Sequence, residues 1–200
     1  RFDEYERQQR EGAWKPLAVH APGDFIVGVL GLGSLGAAVA GRLASFGFRV
    51  RGYSRSPKSL DGVQCFSGQG DWERFVDGAH VIVNLLPNTP QTRGVLNAQT
   101  FARLAKGAHV VNLARGEHLV ERDLLAAIEQ GQLSGATLDV FMQEPLPSDH
   151  PFWKEPRISI TPHISAQTRM VESVEQMVRK IGEIELGATP TGRVDLLRGY

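Results

Sequence analysis

The sequence contains a single cysteine, Cys65, among its 200 residues. One thiol supports neither a disulfide framework nor a cysteine-based zinc site, and we predict no metal site. Cytosolic proteins keep their thiols reduced, so this composition favours a reducing cytoplasm. We interpret Cys65 as a small, partly buried residue without a chemical role.

Net charge and long apolar runs are also missing. The 22 Lys and Arg residues equal the 22 Asp and Glu residues, so the formal net charge is zero. Without a global basic field we expect no nucleic-acid partner and no anionic membrane surface, although a local basic site is compatible with this total. No apolar run approaches the roughly 20 residues that a membrane-spanning helix needs. No signal-peptide pattern opens the chain, which again predicts a cytoplasmic protein.

Short apolar runs alternate with longer amphipathic stretches along most of the chain. This alternation predicts βαβ units, and therefore an α/β fold with a doubly wound parallel sheet covered by helices on both faces. The predicted strands lie at residues 25–30, 48–53, 79–86, 108–113, 135–140 and 158–161. The predicted helices lie near residues 34–46, 71–77, 97–105, 117–130 and 166–186. In front of them, the charged residues 1–14 predict a further, polar helix.

The first predicted strand runs into the glycine-rich sequence GLGSLG, directly before a helix. In the G-x-G-x-x-G pattern, Gly31 permits a tight turn, Gly33 lets the backbone approach a pyrophosphate, and Gly36 lets helix and strand pack closely. The phosphates would rest on the backbone N–H groups at the helix start, at Ser34 and Leu35. We predict a Rossmann-type dinucleotide site; the alternative is a glycine-rich turn without a ligand.

The second predicted strand ends in GYSRSPK, where dinucleotide-binding chains often carry an acidic residue. An acid would accept hydrogen bonds from the ribose hydroxyls of NAD and would repel a 2′-phosphate. Ser54, Arg55, Ser56 and Lys58 instead offer donors and positive charge. Charge-assisted hydrogen bonds to phosphate are strong, so this loop predicts NADP, with NADPH preferred over NADH. The alternative is a solvated loop that is basic by chance.

Four further polar residues lie at or just after the ends of later predicted strands: Arg115, Asp139, Glu144 and His163. The carboxyl ends of the strands in a doubly wound sheet face the ligand crevice. There Arg115 could bind a substrate carboxylate and polarise the adjacent carbonyl. His163 could donate a proton to the carbonyl oxygen, with Glu144 orienting the imidazole and favouring its protonated form.

At these residues the chain resembles the D-isomer-specific 2-hydroxyacid dehydrogenases, in particular their glyoxylate/hydroxypyruvate reductase branch. The matching stretches are GLGSLG, LLPNTPQTRGVLN, VNLARGEHLVERDLLAAIEQGQLSGATLDVF, EPLP and TPHISAQT, in the family's order over roughly residues 25–170. Asn88 departs from the family pattern, where a leucine is frequent. The resemblance implies a nicotinamide enzyme that reduces a small 2-keto acid, glyoxylate or hydroxypyruvate.

The resemblance also assigns roles to residues. It makes Arg115 the substrate-binding residue, His163 the acid and base, and Glu144 the support of His163, and it places Asp139 near the nicotinamide carboxamide. Other residues that it implies at the cofactor are Leu86, Pro87, Thr89, Thr92, Leu113 and Ala114.

The resemblance implies a second, substrate-binding domain, which we expect to be largely absent from this chain. We therefore expect three parts: a linker helix at residues 1–14, the NAD(P)-binding domain at 15–186, and a tail at 187–200 that returns to the missing domain. The resemblance also implies a homodimer formed through the cofactor domain.

Other nicotinamide enzymes and a non-enzymatic role are the alternatives. β-Hydroxyacid dehydrogenases need a Lys followed four residues later by Asn, and short-chain dehydrogenases need Tyr-x-x-x-Lys; neither pattern occurs. Some relatives of the 2-hydroxyacid dehydrogenases are corepressors that sense the dinucleotide, and retained Arg, Glu and His do not exclude such a role. Substrate turnover would separate a reductase from a sensor.

Overall fold

The computed structural model describes residues 2–18 and 20–193. Contacts between residues divide the chain into two compact units, the first running through Pro162 and the second beginning at His163. Residues 194–200, the second half of the predicted tail, lie outside the described residues.

The first unit contains one seven-stranded sheet in which every pairing is parallel. The strands are β1 (Ile26–Leu30), β2 (Arg49–Ser54), β3 (Val63–Ser67), β4 (Val81–Asn84), β5 (Ala108–Asn112), β6 (Leu133–Leu138) and β7 (Ile158–Ile160). Their order across the sheet is β3-β2-β1-β4-β5-β6-β7. The predicted α/β fold with a parallel, doubly wound sheet is confirmed.

The predicted helices form where the pattern placed them, with shorter bounds. They are α1 (Phe2–Arg10), α2 (Ser34–Ser45), α3 (Trp72–Val76), α4 (Ala98–Arg103), α5 (Glu121–Glu129) and, in the second unit, α6 (Met170–Glu185). At α4 the side chain of Asn97 accepts a hydrogen bond from the Thr100 N–H, which satisfies one of the free donors at the helix start.

Strand β3 was not predicted from the sequence. Its residues, VQCFS, mix polar and apolar side chains, and Phe66 is the only one of them that is fully buried. Because β3 lies at the edge of the sheet and pairs with β2 alone, it needs no continuous apolar run of the kind that marks an interior parallel strand.

The core lies on both faces of the sheet. Successive side chains of a strand point to opposite faces, and in β1 Val29 packs into the cluster under α2 while Leu30 packs into the cluster under α3, α4 and α5. Both side chains are fully buried. The larger cluster includes Phe75 of α3 and Phe101 of α4. Helices therefore cover both faces, which fixes the sheet and leaves its carboxyl edge to carry the functional loops.

The strand order reverses at the pairing of β1 with β4, where ligands bind in open α/β sheets. The loops after these two strands touch, since a β-carbon on Gly31 would lie 2.7 Å from the carbonyl oxygen of Leu85. The predicted phosphate turn and the loop after β4, whose residues are predicted at the cofactor, thus lie side by side.

The second unit consists mainly of α6, whose apolar side chains recur at helical spacing. Met170, Val174, Met177 and Ile181 are each at least 45% exposed. None of the helices in the described ranges is long and apolar enough to cross a membrane.

Candidate functional site

The turn between β1 and α2 needs glycine at two positions for reasons of space. Gly31 has a φ of +93° and lies against the backbone of Leu85. A β-carbon on Gly36 would lie 1.7 Å from the carbonyl oxygen of Gly31, a distance that no side chain can occupy. These two glycines therefore form the turn itself, as predicted from the pattern.

Gly33 is different, because no atom lies within 4 Å of the place where its β-carbon would stand. It precedes α2 as the N-cap residue, and no side chain in the described ranges caps this helix. Ser34 and Leu35, at the helix start, are exposed. Space above a helix N-terminus, without a side chain to fill it, fits the pyrophosphate of a dinucleotide.

The basic loop after β2 lies next to this turn. The N–H of Gly31 donates a hydrogen bond of 2.9 Å to the carbonyl of Tyr53, the residue before Ser54. Ser54 is buried, and its hydroxyl donates to the carbonyl of Ser56 at 2.7 Å, so it shapes the loop from within. Arg55, Ser56 and Lys58 are exposed. The structure thus presents an exposed, cationic loop beside the glycine turn.

The loop after β4 is held together by Thr92. Its hydroxyl oxygen accepts a hydrogen bond of 2.9 Å from the N–H of Thr89 and lies 2.8 Å from the carbonyl oxygen of Pro87, to which it can donate. Leu86, Pro87, Thr89 and Thr92 are all half-buried. All four residues were predicted at the cofactor, and the hydroxyl of Thr92 stabilises the loop that contains the other three.

Arg115 and Glu144 lie on loops that pack against each other. A β-carbon on Gly116 would lie 2.0 Å from the carbonyl carbon of Phe141, so the loop of Arg115 touches the backbone that leads to Glu144. The Glu144 Oε1 accepts a hydrogen bond of 2.9 Å from the Phe141 N–H. The guanidinium of Arg115 donates to the Ala114 carbonyl at 2.6 Å. Both charged side chains are exposed, and they follow the neighbouring strands β5 and β6.

Asp139 directly follows β6 and is fully buried. The hydroxyl of Thr161 donates to its Oδ1 at 2.5 Å, and the Asp139 N–H donates to the carbonyl of Asn112 at 3.0 Å. A buried carboxyl needs such partners, since burying an unpaired polar group is costly. Thr161 follows β7, so this contact connects the ends of two adjacent strands.

His163 opens the second unit, and its side chain is exposed. Its φ of 54° is positive, and no other described residue except glycine has a positive φ. Residues in this left-handed region are uncommon and cluster at functional positions, although histidine tolerates it better than most.

Three buried residues that sequence reasoning did not connect lie beneath the predicted loops. Asn84 ends β4, Asn112 ends β5, and His118 closes a short 3₁₀ turn after Arg115. All three are fully buried, and the Asn84 amide nitrogen lies 2.9 Å from the Asn112 Oδ1 and 2.8 Å from the His118 Nδ1. The signal in the sequence was the repeated Val-Asn-Leu of VNLL and VNLA, which puts an amide at the end of two strands.

The two predicted residues between Asn112 and Arg115 are fixed by the same groups. The N–H of Leu113 donates to the carbonyl of Asn84 at 3.2 Å, and the N–H of Ala114 donates to the Asn112 Oδ1 at 3.3 Å. Ala114 is buried and Leu113 is half-buried.

Burial lowers the pKa of His118 from its ordinary value of 6.5. The Pro87 carbonyl and the Glu117 carboxylate act in the opposite direction and offset this only partly, while the charge of Arg115 lowers the pKa further. The buried Nε2 makes no well-formed hydrogen bond to a described residue. Burial therefore favours the neutral imidazole of His118.

Comparison with known proteins agrees with this geometry. Residues 1–165 match the model of a family described as D-isomer specific 2-hydroxyacid dehydrogenase, NAD binding domain. The whole chain is 55% identical to a glyoxylate/hydroxypyruvate reductase A of Serratia proteamaculans and 52% identical to one of Yersinia enterocolitica. It spans 64% of the length of each of these relatives.

Two solved structures superpose on the full chain. One is a D-isomer specific 2-hydroxyacid dehydrogenase of Xanthobacter autotrophicus in complex with NADPH and MES, at 44% identity and a TM-score of 0.95; the chain covers 82% of it. The other is an NADPH-dependent glyoxylate/hydroxypyruvate reductase of Sinorhizobium meliloti in complex with NADP and sulfate, at 34% identity and a TM-score of 0.95; the chain covers 64% of it. The chain thus belongs to the D-isomer specific 2-hydroxyacid dehydrogenase family and comprises its nicotinamide-dinucleotide-binding domain.

Proposed function

We propose that the protein containing this chain reduces a small 2-keto acid, glyoxylate or hydroxypyruvate, to the D-2-hydroxy acid with NADPH. The observation that carries the proposal is the contact of Gly116 with the backbone of Phe141, which brings the loops of Arg115 and Glu144 to one edge of a dinucleotide-binding sheet. The relatives named glyoxylate/hydroxypyruvate reductase support the choice of substrate.

NADPH is the proposed cofactor because the exposed side chains beside the glycine turn are Arg55, Ser56 and Lys58. A guanidinium and an ammonium attract a 2′-phosphate, and a hydroxyl donates to it. The two solved relatives that contain NADPH or NADP support this choice.

The chain's residues would divide the reaction as follows. When bound, the nicotinamide supplies the hydride that reduces the ketone carbon. The Arg115 guanidinium binds the substrate carboxylate through paired hydrogen bonds and polarises the adjacent carbonyl. His163 donates a proton to the carbonyl oxygen and takes it back in the reverse direction, and Glu144 supports His163 in this role. Asp139 is the proposed partner of the nicotinamide carboxamide.

The proposal extends to the assembly and the cellular location of the protein. We propose a homodimer formed through this domain, which sedimentation of the full-length protein would test. A cytoplasmic location is proposed from the single cysteine, Cys65.

Turnover by the full-length protein tests the proposal. We expect loss of NADPH absorbance with glyoxylate or hydroxypyruvate, and a fall of at least about 100-fold in kcat for His163→Ala, since a general acid contributes about that much. His163→Asn is the matched control, because asparagine tolerates the positive φ and should lose turnover equally. NADPH affinity should stay unchanged in both variants. Unchanged turnover would remove His163 from the reaction, and NADPH binding without turnover of either acid would favour a sensor.

A further inference from the structure

The buried residues Asn84, Asn112 and His118 form one hydrogen-bonded network. The Asn84 Oδ1 accepts from the Leu86 N–H at 3.2 Å, which turns its amide nitrogen toward the other two side chains. The Asn84 Nδ2 then donates one hydrogen to the Asn112 Oδ1 at 2.9 Å and the other to the His118 Nδ1 at 2.8 Å. Every polar atom of Asn84 is thus used.

The same network determines which ring nitrogen of His118 carries the proton. Because the Asn84 nitrogen is only a donor, the His118 Nδ1 has to accept, and the proton of the neutral ring then lies on Nε2. A proton on Nδ1 would set two donors against each other at 2.8 Å. His118 is consequently an acceptor that fixes the rotation of the Asn84 amide.

The far ends of the network hold the backbone of both functional loops. Leu86 is the first of the residues predicted at the cofactor in the loop after β4, and its N–H donates to the Asn84 Oδ1. On the other side, the Asn112 Nδ2 donates to the carbonyl of Arg115 at 3.0 Å, and its Oδ1 accepts from the Ala114 N–H at 3.3 Å. A single chain of side-chain hydrogen bonds therefore runs from the loop after β4 to the residue proposed to bind substrate.

We propose that His118 is a positioning residue that, through Asn84 and Asn112, holds the loop after β4 and Arg115 in one fixed arrangement. This inference rests on the proposed function, because it concerns how the NADPH site is kept in shape. Binding sites need their contacting groups held to within about 0.5 Å by supporting hydrogen bonds, and no residue of this network reaches the surface.

Two nearly isosteric replacements of His118 separate positioning from packing. In His118→Asn the Oδ1 stands where the Nδ1 stood and still accepts from Asn84, whereas His118→Leu has the same branched shape without an acceptor. Both leave the same gap in the core. NADPH affinity of this chain is measured by calorimetric titration for wild type and both variants, well below each unfolding midpoint.

We expect NADPH to bind His118→Leu about tenfold more weakly than wild type, the loss of one buried hydrogen bond, and His118→Asn within about threefold. Equal affinity of wild type and His118→Leu would overturn the inference and leave the proposed function intact. Equal weakening in both variants would also overturn it, because the lost volume and not the acceptor would then be responsible. Failure of the wild-type chain to bind NADPH would overturn the proposed function and this inference with it.

Hydrogen exchange of the unmodified chain provides a test that needs no variant. If the network holds both loops, the amides of Leu86 and Ala114 exchange far more slowly than an exposed loop amide such as that of Asn88. Exchange of these two amides at the rate of Asn88 would overturn the inference even if His118→Leu failed to fold.

Discussion

The hydroxyl of Thr161 donates a hydrogen bond of 2.5 Å to the buried Oδ1 of Asp139 and thereby connects the ends of β6 and β7. Asp139 is the residue that family resemblance places at the nicotinamide carboxamide, whereas Thr161 had no predicted role. A buried carboxyl costs free energy unless hydrogen bonds compensate, and the hydrogen bond from Thr161 supplies part of this compensation.

Replacing Thr161 with the isosteric valine should destabilise the chain by about 1–2 kcal/mol, because removing one partner of a buried hydrogen bond costs about 1–3 kcal/mol. Thr161→Ser keeps the hydroxyl and should cost less. Urea unfolding of the two variants measures the difference. Equal destabilisation by valine and serine would mean that the methyl group, and not the hydrogen bond, matters at this position.

The glycines of the β1–α2 turn allow stability to be separated from cofactor binding. Gly36→Ala places a β-carbon 1.7 Å from the Gly31 carbonyl oxygen and should destabilise the fold by about 3 kcal/mol or more. Gly33→Ala meets no atom within 4 Å and should cost less than about 1 kcal/mol, yet its methyl group fills the space proposed for the pyrophosphate.

Thermal unfolding and NADPH titration of these two variants provide the check. For Gly33→Ala we expect a nearly unchanged unfolding midpoint and an NADPH affinity at least about tenfold weaker. Wild-type affinity in a folded Gly33→Ala variant would place the cofactor phosphates elsewhere.

The buried histidine makes a definite prediction for stability against pH. Burial lowers the pKa of His118 in the folded chain below 6.5, so below pH 6.5 the unfolded chain takes up a proton that the folded chain does not. The contribution of His118 to the free energy of unfolding is at its maximum above pH 6.5. As the pH falls from 6.5 toward the pKa of His118 in the folded chain, this contribution decreases by at most about 1.4 kcal/mol per pH unit.

The replacement His118→Asn removes the titrating imidazole, so the variant is the control for the pH dependence of the wild-type chain. Urea unfolding at several pH values between neutral and mildly acidic should show a smaller loss of stability for the variant than for wild type. Parallel curves would mean that His118 titrates alike in the folded and unfolded chain.

Much of this architecture could be predicted because each signal was local. The run FIVGVL followed by GLGSLG predicted a strand, a turn and a helix start, and the structure has all three in β1, Gly31 and α2. Strand β3 was missed because an edge strand with one fully buried side chain has almost no pattern.

Some site residues could be predicted from the sequence, whereas the residues that hydrogen-bond to them could not. Arg115 and Asp139 could be placed because they follow apolar strands. The roles of Thr161, Asn84 and His118 depend on contacts between segments 22 to 34 residues apart, which no periodicity reveals. For Ser54 the sequence predicted contact with the cofactor but not the contact that the structure shows, in which its hydroxyl donates to the Ser56 carbonyl of its own loop.

The preference for NADPH over NADH is tested most directly by calorimetric titration of this chain with both nucleotides at low salt, where charge attraction is least screened. We predict that NADPH binds at least about tenfold tighter, a difference of about 1.4 kcal/mol, and that Arg55→Ala removes this difference while leaving NADH affinity unchanged. Equal binding of NADPH and NADH by the wild-type chain would contradict the assignment of the loop from Ser54 to Lys58 to the 2′-phosphate.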